Sequence, residues 1–164
     1  RVMNENIRTE DDYTQVVETY SDLVYRLALA RTKNQADAED IYQEVFLRYL
    51  KNQDKIVNET HKKAWLIRTT INCSKSLLTS AWFRSTVALE DNLSFTTPEE
   101  TGVYHAVMGL PQKYRTVIHL FYYEDLSIRE ISEILGIGEN TIKSQLSRAR
   151  TLLKEKLKGE YDYV

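Results

Sequence analysis

The sequence predicts an all-α protein: two small helical domains joined by a flexible connector. Only five Gly and two Pro stand among 164 residues rich in Leu, Ile, Ala, Glu, Lys and Gln, a balance that favours long helices over strands and turns. Apolar residues recur at three- and four-residue spacing through most of the chain, and 42% of it is hydrophobic, enough for a core. Charge is segregated beneath a net value of only −2. Lys62, Lys63, Arg68, Lys75 and Arg84 occupy residues 61–84 without one acid. Residues 85–108 hold Glu90, Asp91, Glu99 and Glu100 and no base, and Thr141 to Lys158 returns to Lys143, Arg148, Arg150, Lys154, Lys156 and Lys158 against Glu155 alone. Two basic stretches around an acidic connector suit two contacts with a polyanion; solvated helix faces would give the same pattern.

The first helix is expected to start at Thr9, with Asp12 three residues on, and to carry Tyr13, Val16, Val17, Tyr20, Val24 and Leu27 inward up to about Ala30, with a break near Tyr20 to Asp22. A second begins after a polar turn, capped by Asn34, with Asp37, Glu39 and Asp40 near the positive end of its dipole. Ala38, Ile41, Val45 and Tyr49 form its buried stripe, with Tyr42, Phe46 and Leu50 beside them, and Glu39, Asp40, Gln43 and Glu44 make the remaining face. Two readings fit that face: helix-start acids in solvent, or a docking surface for a basic or polar partner.

A third helix spans His61 to Leu78 and on toward Phe83. Ala64, Trp65, Leu66 or Ile67, Ile71 and Leu78 can face inward, and Lys62, Lys63, Arg68 and Lys75 interleave with Trp65, Trp82 and Phe83. Bases neutralise phosphates and aromatic faces stack on unpaired bases, so this composition suits single-stranded DNA. A tryptophan at an apolar helical position such as Trp65 is more often core than a stacking platform. Residues 85–97 lack helical period and read as a linker; Thr97, Pro98 and Glu100 then form an N-cap, a first-turn proline and a capping box. Val103, Ala106, Val107 and Leu110 give the next helix its stripe, Pro111 opens another, and Tyr114, Val117, Ile118 and Phe121 recur inside that one.

Ser127 to Arg150 has the shape of a helix-turn-helix. A short amphipathic helix with Ile128, Ile131, Ile134 and Leu135 is capped by Ser127 and Glu130, turns at Gly136 to Gly138, and leads into a second helix. There Ile142, Leu146, Ala149, Leu153 and Leu157 face inward, leaving Thr141, Lys143, Ser144, Gln145, Ser147, Arg148 and Arg150 for a major groove and its phosphates. Arg and Lys can pair with guanine, Gln with adenine, and Ser with base edges or phosphate.

No catalytic, cofactor or metal site is expected. Cys73 stands alone, His61, His105 and His119 fall in separate helices, and neither a Gly-rich phosphate loop nor metal-ligand spacing occurs. Without a membrane-length apolar run or signal segment, a cytoplasmic location is expected. The chain begins at Arg1 rather than Met, which weakens that inference.

Two segments together resemble one family, the extracytoplasmic-function sigma factors of bacterial RNA polymerase. Ala38-Glu39-Asp40-Ile41-Tyr42-Gln43-Glu44-Val45-Phe46-Leu47 is similar to the family's polymerase-docking segment. Leu110-Pro111-Gln112-Lys113-Tyr114-Arg115, with Thr141 to Arg150, is similar to its C-terminal DNA-binding domain. The resemblance implies a sigma-2-like domain at 1–84 that holds the β′ clamp helices and melts and reads the −10 element, an acidic linker at 85–97, and a sigma-4-like domain at 98–164 that reads the −35 element and contacts the β flap. It places Asp40, Gln43 and Glu44 at polymerase-contact positions, Lys62, Lys63, Trp65, Arg68, Asn72 and Lys75 toward the −10 element, and Lys143, Ser144, Ser147 and Arg148 on the recognition helix. Core polymerase, promoter DNA and an anti-sigma factor are the implied partners. Ser76 and Thr79 stand where many members carry Asp and Arg, and Gln145 where Arg is common. The alternative is a regulator of the response-regulator output type, whose helix-turn-helix resembles Thr141-Ile142-Lys143; it would need a sensory domain, and residues 1–84 show no strand alternation. A helical interaction protein that does not bind DNA is a third reading.

Overall fold

The computed structural model describes residues 2–56, 58–84 and 102–161, with side chains described in 12–56, 58–79 and 102–158. Among these residues every regular element is helical. The chain divides into two compact units, Arg1–Arg84 and Ser85–Val164.

The first unit packs α1 (Val2–Thr32), α2 (Gln35–Asn52) and α3 (Glu59–Arg84) pairwise against one another. Val24, Leu27, Ala38, Val45, Tyr49, Leu66 and Ile67 are wholly buried between them. Helix α1 differs from expectation at two points: it starts at Val2, so Thr9 is an interior residue and not a cap, and it runs unbroken through Tyr20 to Asp22. No Gly or Pro interrupts it, and its mid-helix Thr19 and Ser21 find partners that leave the ladder intact. The Thr19 hydroxyl bonds back to the Gln15 carbonyl at 2.8 Å, and Ser21 meets the Tyr42 hydroxyl of α2 at 2.9 Å.

Lys33, at φ 55°, ends α1 by turning left-handed while its N–H reaches the Leu29 carbonyl at 2.8 Å. One residue later the Asn34 side chain accepts from the Asp37 N–H at 2.9 Å, as the sequence indicated. Asn58 does the same for α3, accepting from the His61 N–H at 2.7 Å. Both Leu66 and Ile67 are buried, whereas Leu50 is exposed.

The second unit consists of α4 (Gly102–Met108), α5 (Gln112–Ile118), α6 (Ile128–Leu135) and α7 (Glu139–Tyr161). Helix α5 widens into a π-helical turn at His119–Tyr123, a feature that the regular spacing of apolar residues concealed. In consequence Leu120 is fully buried, and Phe121 is only half-buried. The Arg115 guanidinium, itself buried, donates to the Leu110 carbonyl at 2.7 Å and closes the α4–α5 corner around Pro111.

The helix-turn-helix forms as expected. Ser127 accepts from the Glu130 N–H at 3.1 Å while its own N–H donates to the Glu130 carboxylate at 3.0 Å. Gly136, at φ 68°, caps α6, a conformation that costs an L side chain about 1 kcal/mol or more. Ile131, Ile142, Leu146 and Ala149 are buried; Leu153 and Leu157 are only partly so. The capping box at Thr97–Glu100 and the linker at 85–97 lie outside the described residues.

Candidate nucleic-acid and docking interfaces

On α3, Trp65, Arg68, Asn72 and Lys75 follow one another at three- and four-residue steps and share a single outward face. Arg68, Asn72 and Lys75 are exposed. Trp65 sits at the edge, half-buried, with its indole edge-on to the Tyr49 ring at 5.9 Å, so it belongs partly to the core and partly to the surface.

Lys62 is not part of this face. It is 8% exposed, and its ammonium lies 3.3 Å from Glu59 and 3.4 Å from Asp12 of α1. Its position on the helix turns it toward α1, which the count of basic residues alone could not reveal. Burial opposes the Lys62 charge, but the hydrogen bond to Glu59 and the neighbouring negative groups outweigh it and hold the ammonium above its ordinary value. Tyr20 donates to the same Glu59 carboxylate at 2.8 Å. Burial and that bond push the Tyr20 hydroxyl up to about 12, while the bonds from Tyr20 and Lys62 hold Glu59 below the usual carboxylate range. Lys63 is half-buried and also off the Arg68 face.

On α2, Asp40, Gln43 and Glu44 are all exposed on the side away from the buried stripe. Glu44 accepts from the Arg48 guanidinium at 2.8 Å, an exposed i, i+4 pair. Two leucines belong to this face as well: Leu47, 51% exposed, the last residue of the segment that resembles the docking motif, and Leu50, 42% exposed, which the sequence placed beside the buried stripe. Their signal was the spacing, because Leu47 stands four residues after Gln43 and seven after Asp40. A cleft of about 340 Å³ between α2 and α3 joins Asp40, Glu44 and Arg48 to Ser76 and the buried Cys73, whose thiol is pushed up by burial.

In the second unit, α7 presents Thr141, Lys143, Ser144, Ser147 and Arg148 to solvent along its outer side. Thr141, Ser144, Gln145 and Arg148 line a cradle of about 320 Å³ together with Asn140 and with Lys113 and Tyr114 of α5. Lys113 and Asn140 are additions to the expected set. Lys113 lay in the Leu-Pro-Gln-Lys motif, but its proximity to Gln145 depends on how α5 packs on α7. Gln145, half-buried at the flank of α7, points less directly outward than its neighbours.

Arg150 is exposed as well, but on another side of α7. Two residues from Arg148, it lies on nearly the opposite side of the helix. Its Nε donates to the Tyr122 hydroxyl at 2.6 Å, and the guanidinium stands 5.8 and 5.7 Å from the Phe121 and Tyr122 ring centroids. Beside it opens an apolar groove of about 670 Å³, lined by Val103, Val107, Ile118, Tyr122, Leu153 and Leu157 among others. Among the described residues no helix is long and apolar enough to cross a membrane, and no group of His, Cys, Asp and Glu could hold a metal ion.

Residues 16–84 match the family model for sigma-70 region 2, and residues 102–153 match that for sigma-70, region 4. The chain is similar to the RNA polymerase sigma factor SigV of Bacillus subtilis, at 32% identity over 83% of this chain and 85% of the relative. It is similar also to the ECF RNA polymerase sigma factor SigW of the same organism, at 30% identity over 91% of this chain and 90% of that one. Among solved structures it shares its fold with the sigma factor RpoE, in complex with the anti-sigma factor NepR, from Bartonella quintana, with a TM-score of 0.76 and 24% identity over 90% of this chain and 97% of that one. CnrH, in complex with the cytosolic domain of CnrY, has a TM-score of 0.65 at 19% identity over 92% and 90% of the two chains. With both sigma regions present in order and relatives matched over most of their length, the chain belongs to the extracytoplasmic-function sigma factors of the sigma-70 family.

Proposed function

We propose that this sigma factor performs its promoter-directing role through three surfaces on its two units. The α2 face of Asp40, Gln43, Glu44, Leu47 and Leu50 docks on the clamp helices of the β′ subunit. The observation that carries this is the exposure of Leu47 and Leu50 beside the acids. A face kept only for solvation has no need of two open leucines, whereas a protein interface gains from burying them. Carrying Asp40→Arg with Glu44→Arg, the chain is expected to lose co-purification with core polymerase; full retention would refute the assignment.

The α3 face of Trp65, Arg68, Asn72 and Lys75 meets the melted −10 strand. Its guanidinium and ammonium groups neutralise backbone phosphates, and the open edge of Trp65 offers a stacking surface. On α7, Lys143, Ser144, Ser147 and Arg148 read the −35 duplex, with Thr141, Gln145 and Lys113 at the flanking backbone. The apolar groove of the second unit receives a polymerase segment, for which the β flap is the candidate. Each DNA contact is small; polymerase presents both together and so raises the effective concentration of the second once the first has formed.

Acting on RNA polymerase places the chain in the cytoplasm. Its fold relatives RpoE and CnrH were solved with the anti-sigma factor NepR and with the cytosolic domain of CnrY, respectively. An anti-sigma partner is accordingly part of this reading.

A further inference from the structure

Helix α7 carries cations on two sides: Arg148 on one, and nearly opposite it a row that begins at Lys143. Lys143, Ser147, Arg150 and Lys154 follow at four-, three- and four-residue steps and form one continuous stripe along the outer flank of the helix. All four are exposed, and three of them are cations. Arg150 alone is drawn sideways.

Its partner is supplied by the π-turn. Phe121 and Tyr122 lie side by side there, ring centroids 4.9 Å apart and nearly perpendicular, and the guanidinium of Arg150 lies near both rings while its Nε donates to the Tyr122 hydroxyl at 2.6 Å. A guanidinium offers phosphate a bidentate edge, and Nε forms half of one such edge. With Nε committed to a hydroxyl and the charge held beside two rings, that edge is withdrawn from the backbone. The hydroxyl is neutral, so the arrangement competes with phosphate without excluding it. Tyr122 is half exposed, so its ring is not a core element that α7 needs in order to fold.

We infer that Tyr122 is a positioning residue that holds Arg150 off the DNA backbone, so that the free chain binds duplex with one phosphate contact fewer than α7 provides. The inference rests on the reading of α7 as the duplex-binding helix. A contact that only pins α7 to α5 would have no effect on the salt dependence of DNA binding.

The test measures binding of the full-length chain to a short random-sequence duplex across a salt series, since a backbone contact is indifferent to sequence. Tyr122→Leu removes ring and hydroxyl; Tyr122→Phe removes the hydroxyl alone. Tyr122→Leu is expected to bind about three- to eightfold tighter at about 0.1 M salt, with a log–log salt slope steeper by about 0.9, the increment of one neutralised phosphate. Tyr122→Phe moves the same way by less. Arg150→Gln leaves the otherwise native chain within about twofold, but cancels the gain when added to Tyr122→Leu.

Two results overturn the inference: no change in either Tyr122 variant, or a loss of one phosphate's worth of slope from Arg150→Gln alone, which would place Arg150 on DNA already. Lys143→Ala separates this failure from failure of the underlying reading. If Lys143→Ala weakens binding and flattens the slope while the Tyr122 variants do nothing, only the role of Tyr122 falls. If none of these variants changes binding, α7 is not the DNA helix and both fall.

Discussion

The Nε of Arg31 on α1 donates to the Ser74 hydroxyl on α3 at 2.9 Å, and both residues are buried. Ser74 in turn donates to the Ile71 carbonyl at 2.7 Å. Burial holds the Arg31 guanidinium below its ordinary value, yet not so far that it loses its charge. The hydroxyl is therefore a partner for a charge inside the bundle. Ser74→Ala removes that acceptor without filling the space and is expected to destabilise the first unit by about 1–3 kcal/mol, read as a lowered urea midpoint with unchanged m-value. An unchanged midpoint would show that the remaining contacts of Arg31 suffice.

The placement of Lys62 against α1 separates structural from DNA-facing cations. Lys62→Met keeps the packed stem and drops a charge whose partners, Asp12 and Glu59, are 45% and 72% exposed, so stability should change by less than about 1 kcal/mol. Affinity for a single-stranded oligonucleotide should hold. Arg68→Ala with Lys75→Ala should leave stability alone and flatten the salt dependence of that binding. Equal losses from the two variants would dissolve the distinction.

The same cluster sets a pH dependence. Tyr20 titrates at about 12 in the fold against an ordinary 10.0, and Lys62 is likewise raised. A raised value means stability that is complete below the unfolded pKa and lost as pH rises through the folded one, so the first unit should weaken from about pH 10 toward about 12. Glu59 is lowered from 4.5, so its contribution is complete above that value and fades as pH falls through its folded pKa. Urea midpoints against pH check this: Tyr20→Phe should flatten much of the alkaline limb, and an identical limb in the variant would contradict it.

Two left-handed residues predict opposite effects. Lys33 holds φ 55° with a side chain that disfavours it, so Lys33→Gly should raise stability by about 0.5–1 kcal/mol. At Gly136 a Cβ would meet nothing within 4 Å, so Gly136→Ala carries only the conformational cost of φ 68°, about 1–2 kcal/mol. Thermal melting of each variant checks the signs.

Much of this architecture was legible in the sequence where one local rule decides. Asn34, Ser127–Glu130 and Gly136 act within four residues of themselves, and each does in the fold what its position suggested. Thr9 shows the limit of such rules: a capping residue permits a helix to begin but does not forbid it from continuing. Faces were harder to read than elements. Lys62 and Arg68 look alike in a list of bases, and only the packing of α3 on α1 sends one inward. Arg150 could not be placed without the π-turn, which changes the register after Ile118 and brings Phe121 and Tyr122 against α7. Leu50 was hidden for a related reason, since a leucine in an amphipathic helix is by default assigned to the core.

The reading of α7 makes one direct demand on base recognition. Arg148→Ala should cost about 1–3 kcal/mol at the −35 element and relax preference at the base pair it meets, while Lys113→Gln should weaken binding evenly across sequences and lower the salt slope by about 1. Footprints on a mapped promoter and on its scrambled form distinguish the two. A uniform loss from Arg148→Ala would move it from base edge to backbone.

The central claim is that docking through α2 turns two weak DNA surfaces into one promoter reader. In-vitro transcription with purified core RNA polymerase, on a template carrying a promoter mapped for this chain, tests it most directly. The native chain should start transcripts at one site, Asp40→Arg with Glu44→Arg should abolish them at equal concentration, and Arg148→Ala should reduce them at that promoter. Site-specific transcripts undiminished by the α2 substitutions would contradict the account.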